Sequence, residues 1–332
     1  MEPLIHVVIL CFLLLIVFAI IQTHNLFAIV MLLNIYSLLS ACFFVLMDAV
    51  DVAFTEAAVG VGVSTILLLS TLTITGSFEK NKRIKPILTF VIVIISGFLL
   101  IYGTLQMPPF GSSDAPIHQH VATYYIEESY TETGIPNIVT SVLANYRGYD
   151  TLGELFVIFA AGIGVITLLD VNTNIKNLSM FKNDLSKSLI QNHILRVISK
   201  MLIPFILLFA LYVQFHGDFG PGGGFQGGVI FASAFILYTM LFGLKASQKL
   251  ISQSWLEFFS ALGVLLYTCI GMIPLFTGKS FLNYKVLAQD PLQGQHLGVL
   301  IVELGVGITV FSIILLIFIA FTKQVSIIGE GK

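Results

Sequence analysis

Charge is scarce in this chain. Only 10% of its 332 residues are Asp, Glu, Lys or Arg, whereas a water-soluble domain carries about 25%. With 57% hydrophobic residues and a mean hydropathy of +0.96, that shortage excludes a soluble globule and leaves lipid as the main solvent. A net charge of −2 gives no sign of binding to nucleic acid or to acidic substrates. Cysteine is scarce too. Cys11, Cys42 and Cys269 lie far apart inside apolar segments, without metal-ligand spacing, and read as buried structural thiols. Iron–sulfur, haem-attachment and structural zinc signatures are missing, so neither cofactor nor metal is expected. No nucleophile–base set stands out, which argues against a self-contained enzyme. The first apolar segment, 4–21, lacks a basic leader and a small-residue cleavage site, and reads as a retained helix.

What is present is hydrophobic length. A helix needs about 20 apolar residues to cross a bilayer. Nine windows meet that length, near 3–22, 26–47, 52–75, 86–106, 152–171, 194–214, 225–246, 255–276 and 295–322. The expected fold is an all-α polytopic membrane protein in the cell (inner) membrane. Pro204 and Pro274 fall inside the sixth and eighth windows and should bend them. Basic residues set the orientation. Of the 16 Lys and Arg, only Arg147, Lys279 and Lys285 fall on one side of the alternating loops. The N-terminus is therefore expected outside and the C-terminus in the cytoplasm.

The windows fall into blocks: three spans over 1–76, two spans with a long outer loop over 77–171, and four spans over 194–325. The polar stretch 172–193 joins the last two. It reads as a cytoplasmic linker such as a gene fusion leaves, and a plain loop would look similar. Within the outer loop, 107–150, proline-rich turns precede an acidic, aromatic run at 121–132. Residues 136–146 then read as a short helix capped by Asn137, with Ile138, Val142 and Leu143 on one face. That helix is expected along the membrane surface or a partner protein, and a packed lid without chemistry is the plainer alternative.

Few polar groups interrupt the spans, and those few are the functional candidates. The segment His216-Gly-Asp218-Phe-Gly-Pro221-Gly222-Gly223-Gly224-Phe225-Gln226-Gly227-Gly228 cannot hold an unbroken helix. Broken backbone at membrane depth persists only where protein or a water-filled cavity covers it. No strand pattern precedes this segment and no Lys-Ser/Thr follows, which rules out a phosphate-binding loop. Three spans carry a glutamate followed by small residues, namely Glu56, Glu154 and Glu303. A carboxylate there costs several kcal/mol unless paired, hydrated or protonated, and small residues let neighbouring helices bury it. Its proton affinity then answers to hydration or to a nearby cation. Glu154 has a competing reading as a helix-capping acid. Asp48 and Asp51 read as turn residues, and Asp170 as interfacial. His118 and His120, two apart in a proline-bounded loop, fit a proton relay, a metal site or plain loop structure.

Those residues carry a resemblance. The segment His216–Gly228, set in a four-span block, resembles the MnhB-type component of the Mrp (Mnh) multisubunit Na+/H+ antiporters. Asp218 stands where many members have a second histidine. Asp51-Val-Ala-Phe-Thr-Glu56-Ala-Ala-Val-Gly-Val-Gly62 resembles the three-span module at the C-terminal end of the large MnhA-type component. Pro108-Pro-Phe-Gly111, Asp114-Ala-Pro-Ile-His118-Gln-His120 and Tyr146-Arg-Gly-Tyr-Asp-Thr-Leu-Gly-Glu154 resemble the two-span module that follows it. Related modules occur in membrane-bound hydrogenases and, more distantly, in respiratory complex I. The resemblance implies a fused chain that works beside large antiporter-like subunits and small membrane subunits. It implies part of a path for Na+ and H+, with Glu56 exchanging protons and Glu303, His216 and Asp218 lining an outward portion. The alternatives are a scaffold without titrating groups and a component of a redox-driven pump.

Overall fold

The computed structural model describes residues 2–79, 86–109, 111–169 and 193–330. The basic residues Lys80, Lys82, Arg83 and Lys85, Asp170, and all of the linker 172–193 except His193 lie outside the described residues. Among the described residues every regular element is helical, and nine helices are long and apolar enough to cross a membrane.

Helices α1 (Glu2–Gln22) and α2 (Leu26–Leu46) form an antiparallel pair, turned by Asn25, whose side chain accepts from the Phe27 and Ala28 amides at the start of α2. The third span is not a plain helix. It runs as α3 (Val50–Glu56), a π-helical turn over Ala57–Val63, and α4 (Ser64–Thr75). Glycine and β-branched valine alternate through the turn, so little in the sequence holds the tighter α spacing. Asn34 of α2 donates to the Val61 carbonyl at 2.9 Å and to Thr65 Oγ1 at 2.7 Å, which anchors the turn from outside.

After α5 (Pro86–Leu105) the outer loop folds into α6 (Pro116–Gln119), α7 (Val121–Thr133) and α8 (Ile138–Ser141), then a π turn over Val142–Tyr146. Asn137 caps α8 as expected, accepting from the Val139 amide. Ile138 and Leu143 stay exposed, while Thr140, Ser141 and Ala144 are buried against the chain itself. Tyr124 and Tyr146 both donate to Glu132 and clasp the loop. These hydroxyls, Tyr146 foremost, hold the Glu132 carboxyl below the usual range. The stabilisation is therefore present above the ordinary carboxylate value and is lost as pH falls through the lowered one. Amide protection across 121–146 should fall on acidification more steeply in the wild type than in Glu132→Gln, as hydrogen exchange can measure.

The remaining spans are α9 (Gly148–Leu169), α10 (His193–His216), α11 (Gly224–Phe242), α13 (Gln253–Phe276) and α14 (Pro291–Glu330), with short α12 (Leu244–Leu250) at one turn. Pro204 and Pro274 lie within α10 and α13, each of which continues past its proline. Helix α14 is the mast. Val299, Val302, Val306, Val310, Ile313 and Leu316 are buried against α4, α9, α11 and α13. The closest approaches are made by glycine. A β-carbon on Gly228 would stand 2.7 Å from the Gly307 carbonyl, and one on Gly305 2.8 Å from the Gly263 carbonyl. Without a hydrophobic drive between helices in lipid, such backbone contact is a principal source of packing energy. The three cysteines are free and exposed on helix surfaces, not buried as the apolar segments suggested. Apolar context in a membrane chain signals lipid or partner contact as readily as a core.

Candidate functional site

A cavity of about 250 Å3 opens where the starts of α3, α9 and α11 meet α8 and the upper third of α14. Asp51 and Thr55 line it from α3, Thr140 and Leu143 from the outer loop, Glu154 from α9, Gly222–Gly224 and Gln226 from the glycine-rich segment, and Glu303 from α14. Three carboxylates distant in sequence thus face one space.

The walls are clipped together by polar bonds. Asp51 Oδ1 accepts from the Gly222 amide at 3.2 Å, and Gln226 Nε2 donates to Thr55 Oγ1 at 2.9 Å. Both partners step by four residues, so one turn of α3 is stapled along the first turn of α11. The outer loop holds the segment from the other side. Asn137 Nδ2 donates to the carbonyls of Gly217 and Gly220, each at 3.0 Å, and Thr140 Oγ1 to Gly217 at 2.7 Å. The Asn137 amide donates to the Asp218 carbonyl at 3.0 Å.

Glycine here makes room for an acid. Gly223 sits at φ 113°, a left-handed conformation that disfavours any β-carbon. Its β-carbon would stand 3.1 Å from Glu303 Oε1, and one on Gly217 would stand 3.0 Å from Oε2. The Glu303 carboxylate is therefore cradled by main chain on two sides. Among the described residues no side chain donates a hydrogen bond to it.

Asp218 lies above this cradle. Its Oδ2 is 3.4 Å from His296 Nδ1, and its buried Oδ1 has no hydrogen-bond partner among the described residues. Burial pushes the Asp218 carboxyl above the usual range, against the opposing pull of His296. His296 Nε2 in turn lies 2.9 Å from the Gly134 carbonyl.

The other candidates lie elsewhere. His216 stacks on Tyr212, with ring centroids 4.9 Å apart, and joins Phe215 and Phe219 on an aromatic outer surface rather than in the cavity. Glu56 enters the π turn, where it and the Ser37 hydroxyl flank Gly60. A β-carbon on Gly60 would meet Glu56 Oε1 at 2.6 Å and Ser37 Oγ at 2.7 Å. Glu56 does not line the cavity. His118 and His120 are both exposed in the outer loop and line no part of it either. Helix α9 begins at Gly148, six residues before Glu154, so Glu154 is too deep to cap and that reading is set aside. Asp150, in the first turn, pairs with Arg147 at 2.6 Å instead.

Sequence reasoning missed two site residues. Asp51, read as a turn residue, is in the first turn of α3, four residues before Thr55. His296 lies seven before Glu303, two turns along the same face of α14, and that spacing was a usable signal.

Comparison with known proteins agrees with this architecture. Three family models match successive segments: MbhD of MBH over 11–76, MbhE of MBH over 90–174, and a domain related to the MnhB subunit of Na+/H+ antiporter over 194–316. Over 132 residues the chain is 33% identical to the putative antiporter subunit mnhB2 of Staphylococcus aureus (strain Newman), covering 39% of this chain and 93% of that protein. The chain belongs to the MnhB antiporter-subunit family. Its MnhB-like part carries the glycine-rich segment and Glu303, while Asp51 and Glu154 lie outside it. A probable K(+)/H(+) antiporter protein of Rhizobium meliloti (strain 1021), of the fused A/B type, is 25% identical across 91% of this chain. The chain spans about a third (32%) of that relative's length. Among solved structures, the Mrp complex from Dietzia sp. DQ12-45-1b shares the fold, with a TM-score of 0.74 at 23% identity over 95% of this chain and 34% of that chain. The archaeal membrane-bound sulfane sulfur reductase matches 70% of this chain and 96% of that chain, with a TM-score of 0.51 at 30% identity. This MnhB-family chain is thus a transporter component and a multi-pass membrane subunit.

Proposed function

We propose that this chain is a subunit of a secondary transporter, a monovalent cation/proton antiporter of the inner membrane, and that it supplies part of the ion and proton path. The convergence of Asp51, Glu154 and Glu303 on one cavity beside broken backbone carries this reading. A carboxylate without a side-chain donor, held by main chain in a bundle, can exchange a proton against a neighbouring cation without tearing a structural bond. Glu303 is the central group, Glu154 and Asp51 share its cavity, and Asp218 stands at its rim. Glu56, with Ser37 and Asn34, forms a second polar station along the third span. His216, His118 and His120 serve the outer surface, and Phe225, Gly227 and Gly228 serve close packing.

The blocks 1–76, 77–171 and 194–325, joined by 172–193, act as modules of a fused chain, with the N-terminus outside and the cavity on the outer side. Large antiporter-like subunits and small membrane subunits complete the assembly, with Na+ and H+ as the exchanged ions. The relative named for K(+)/H(+) exchange makes the choice of cation a matter for direct measurement.

In the assembled complex, Glu303→Gln should abolish Na+- or K+-driven proton flux in vesicles, and Glu303→Asp should retain a part. Unchanged flux with normal assembly would defeat the reading. Glu56→Gln, read in the same assay, reports on the second station separately. A redox-driven variant is favoured by the likeness to the sulfane sulfur reductase complex. Its signature would be co-purification with electron-carrying proteins and flux that depends on a reductant.

A further inference from the structure

His296 is held by two acceptor-type partners, and this fixes a proton. A carbonyl oxygen only accepts, so the 2.9 Å contact with Gly134 places a hydrogen on Nε2. Nδ1 then faces Asp218 Oδ2 at 3.4 Å. If the imidazole is neutral and the carboxyl ionised, two lone pairs oppose each other in a half-buried place. One proton between them removes the conflict, either as imidazolium with carboxylate or as imidazole with carboxylic acid. The pair also joins outside to inside. The His296 side chain is 40% exposed while that of Asp218 is only 14% exposed. Asp218 follows directly on Gly217, which borders the Glu303 carboxylate, and its charge acts on Glu303.

We propose that Asp218 and His296 form a proton-loading pair at the outer rim, passing protons between the aqueous face and Glu303. The inference rests on the ion-path reading of Glu303. At rest the pair holds one proton. A second, taken from the aqueous face at His296, gives imidazolium beside carboxylic acid. Transfer to the Glu303 carboxylate returns the pair to one proton and leaves Glu303 protonated, so charge and protons balance. The other ionisable groups on the surrounding elements are committed elsewhere. Glu132 of α7 is bonded to Tyr124 and Tyr146, with Lys285 nearby. Tyr284 and Tyr267 donate to the carbonyls of Ala144 and Gly148. Asp51 accepts from the Gly222 amide, and Glu154 lies across the cavity on α9. His216 of α10 stacks on Tyr212. No other histidine is bonded at this rim among the described residues.

The test is proton flux through the reconstituted complex, with pH varied on the face that carries Asp218 and held fixed on the other. Wild type should show a limb approaching about tenfold per pH unit, the slope of a single proton. Asp218→Asn and His296→Gln should each flatten that limb, and the double variant should do no more than either alone. An unaltered limb in either assembled variant, multiplying effects in the double, or no limb in the wild type overturns the proposal. If Asp218→Asn does not assemble, Asp218→Glu reads the same limb: a moved midpoint supports the pair and an unmoved one overturns it. Retained flux in Glu303→Gln sinks the underlying ion-path reading instead. Lost flux in that variant beside an unaltered limb in Asp218→Asn sinks only the loading pair.

Discussion

Gly224→Val is expected to prevent this chain from assembling into a stable complex. Gly224 opens α11, and its α-carbon lies against the Glu303 carbonyl, with the Val306 side chain beyond. A β-carbon has no space there, and the obstruction is backbone, which cannot swing aside as a side-chain tip can. Helices α11 and α14 would have to separate along a face where Gly228 meets Gly307 one turn further on. Overpacking in a well-filled core costs about 1–3 kcal/mol and sometimes more, and here the loss falls on the contact that locates Glu303. The measurement is recovery of intact complex after mild detergent extraction, with Gly220→Ala as the comparison. Gly220 borders the flexible edge of the His216 ring and backs onto no main chain among the described residues. Normal yield of Gly224→Val complex with wild-type melting would show that the two helices are not held at backbone distance.

Tyr284→Ala should be nearly as damaging, through a different layer. Tyr284 is fully buried in the short 3-10 turn Tyr284–Val286, its ring lies on Gly298 of α14, and its hydroxyl donates to the Ala144 carbonyl at 3.1 Å. It therefore ties the loop before α14 to the outer loop that braces Gly217. Removing a buried aromatic ring costs about 3–5 kcal/mol. Tyr284→Phe keeps the ring and deprives one buried carbonyl of its donor, a loss of about 1–3 kcal/mol. The thermal midpoint of the purified complex should fall in the order wild type, Phe, Ala. Hydrogen exchange at 137–146 should rise in the same order. Equal midpoints for Phe and Ala would mean that the ring contributes no packing.

The spans were legible because a bilayer imposes one length on every crossing helix, and the apolar windows met it within a few residues. Asn137 was legible as a cap because that role is decided by adjacent backbone. The π turn at Ala57–Val63 was not, since hydropathy is indifferent to how a helix spaces its hydrogen bonds, and the stabilising donor, Asn34, sits on another helix. Glu303 stood out as an acid amid small residues. Asp51 did not, because its meaning comes from the Gly222 amide 171 positions away. His296 was passed over for His216, whose company in a glycine-rich segment suggested polarity where the structure has a stack of rings. The cysteines misled for a related reason: in a chain solvated by lipid, an apolar neighbourhood does not distinguish inside from outside.

The staple between Asp51 and Gly222 bears on how such a machine can be divided among polypeptides. A protein made of residues 194–316 alone would hold the glycine-rich turn without its acid, so one wall of the cavity would have to arrive by collision. Carried in a single chain, donor and acceptor are present in equal number at every synthesis, and tethering raises their local concentration to about the millimolar range typical of short linkers. Assembly order then ceases to matter for this wall, and an excess of either half cannot accumulate.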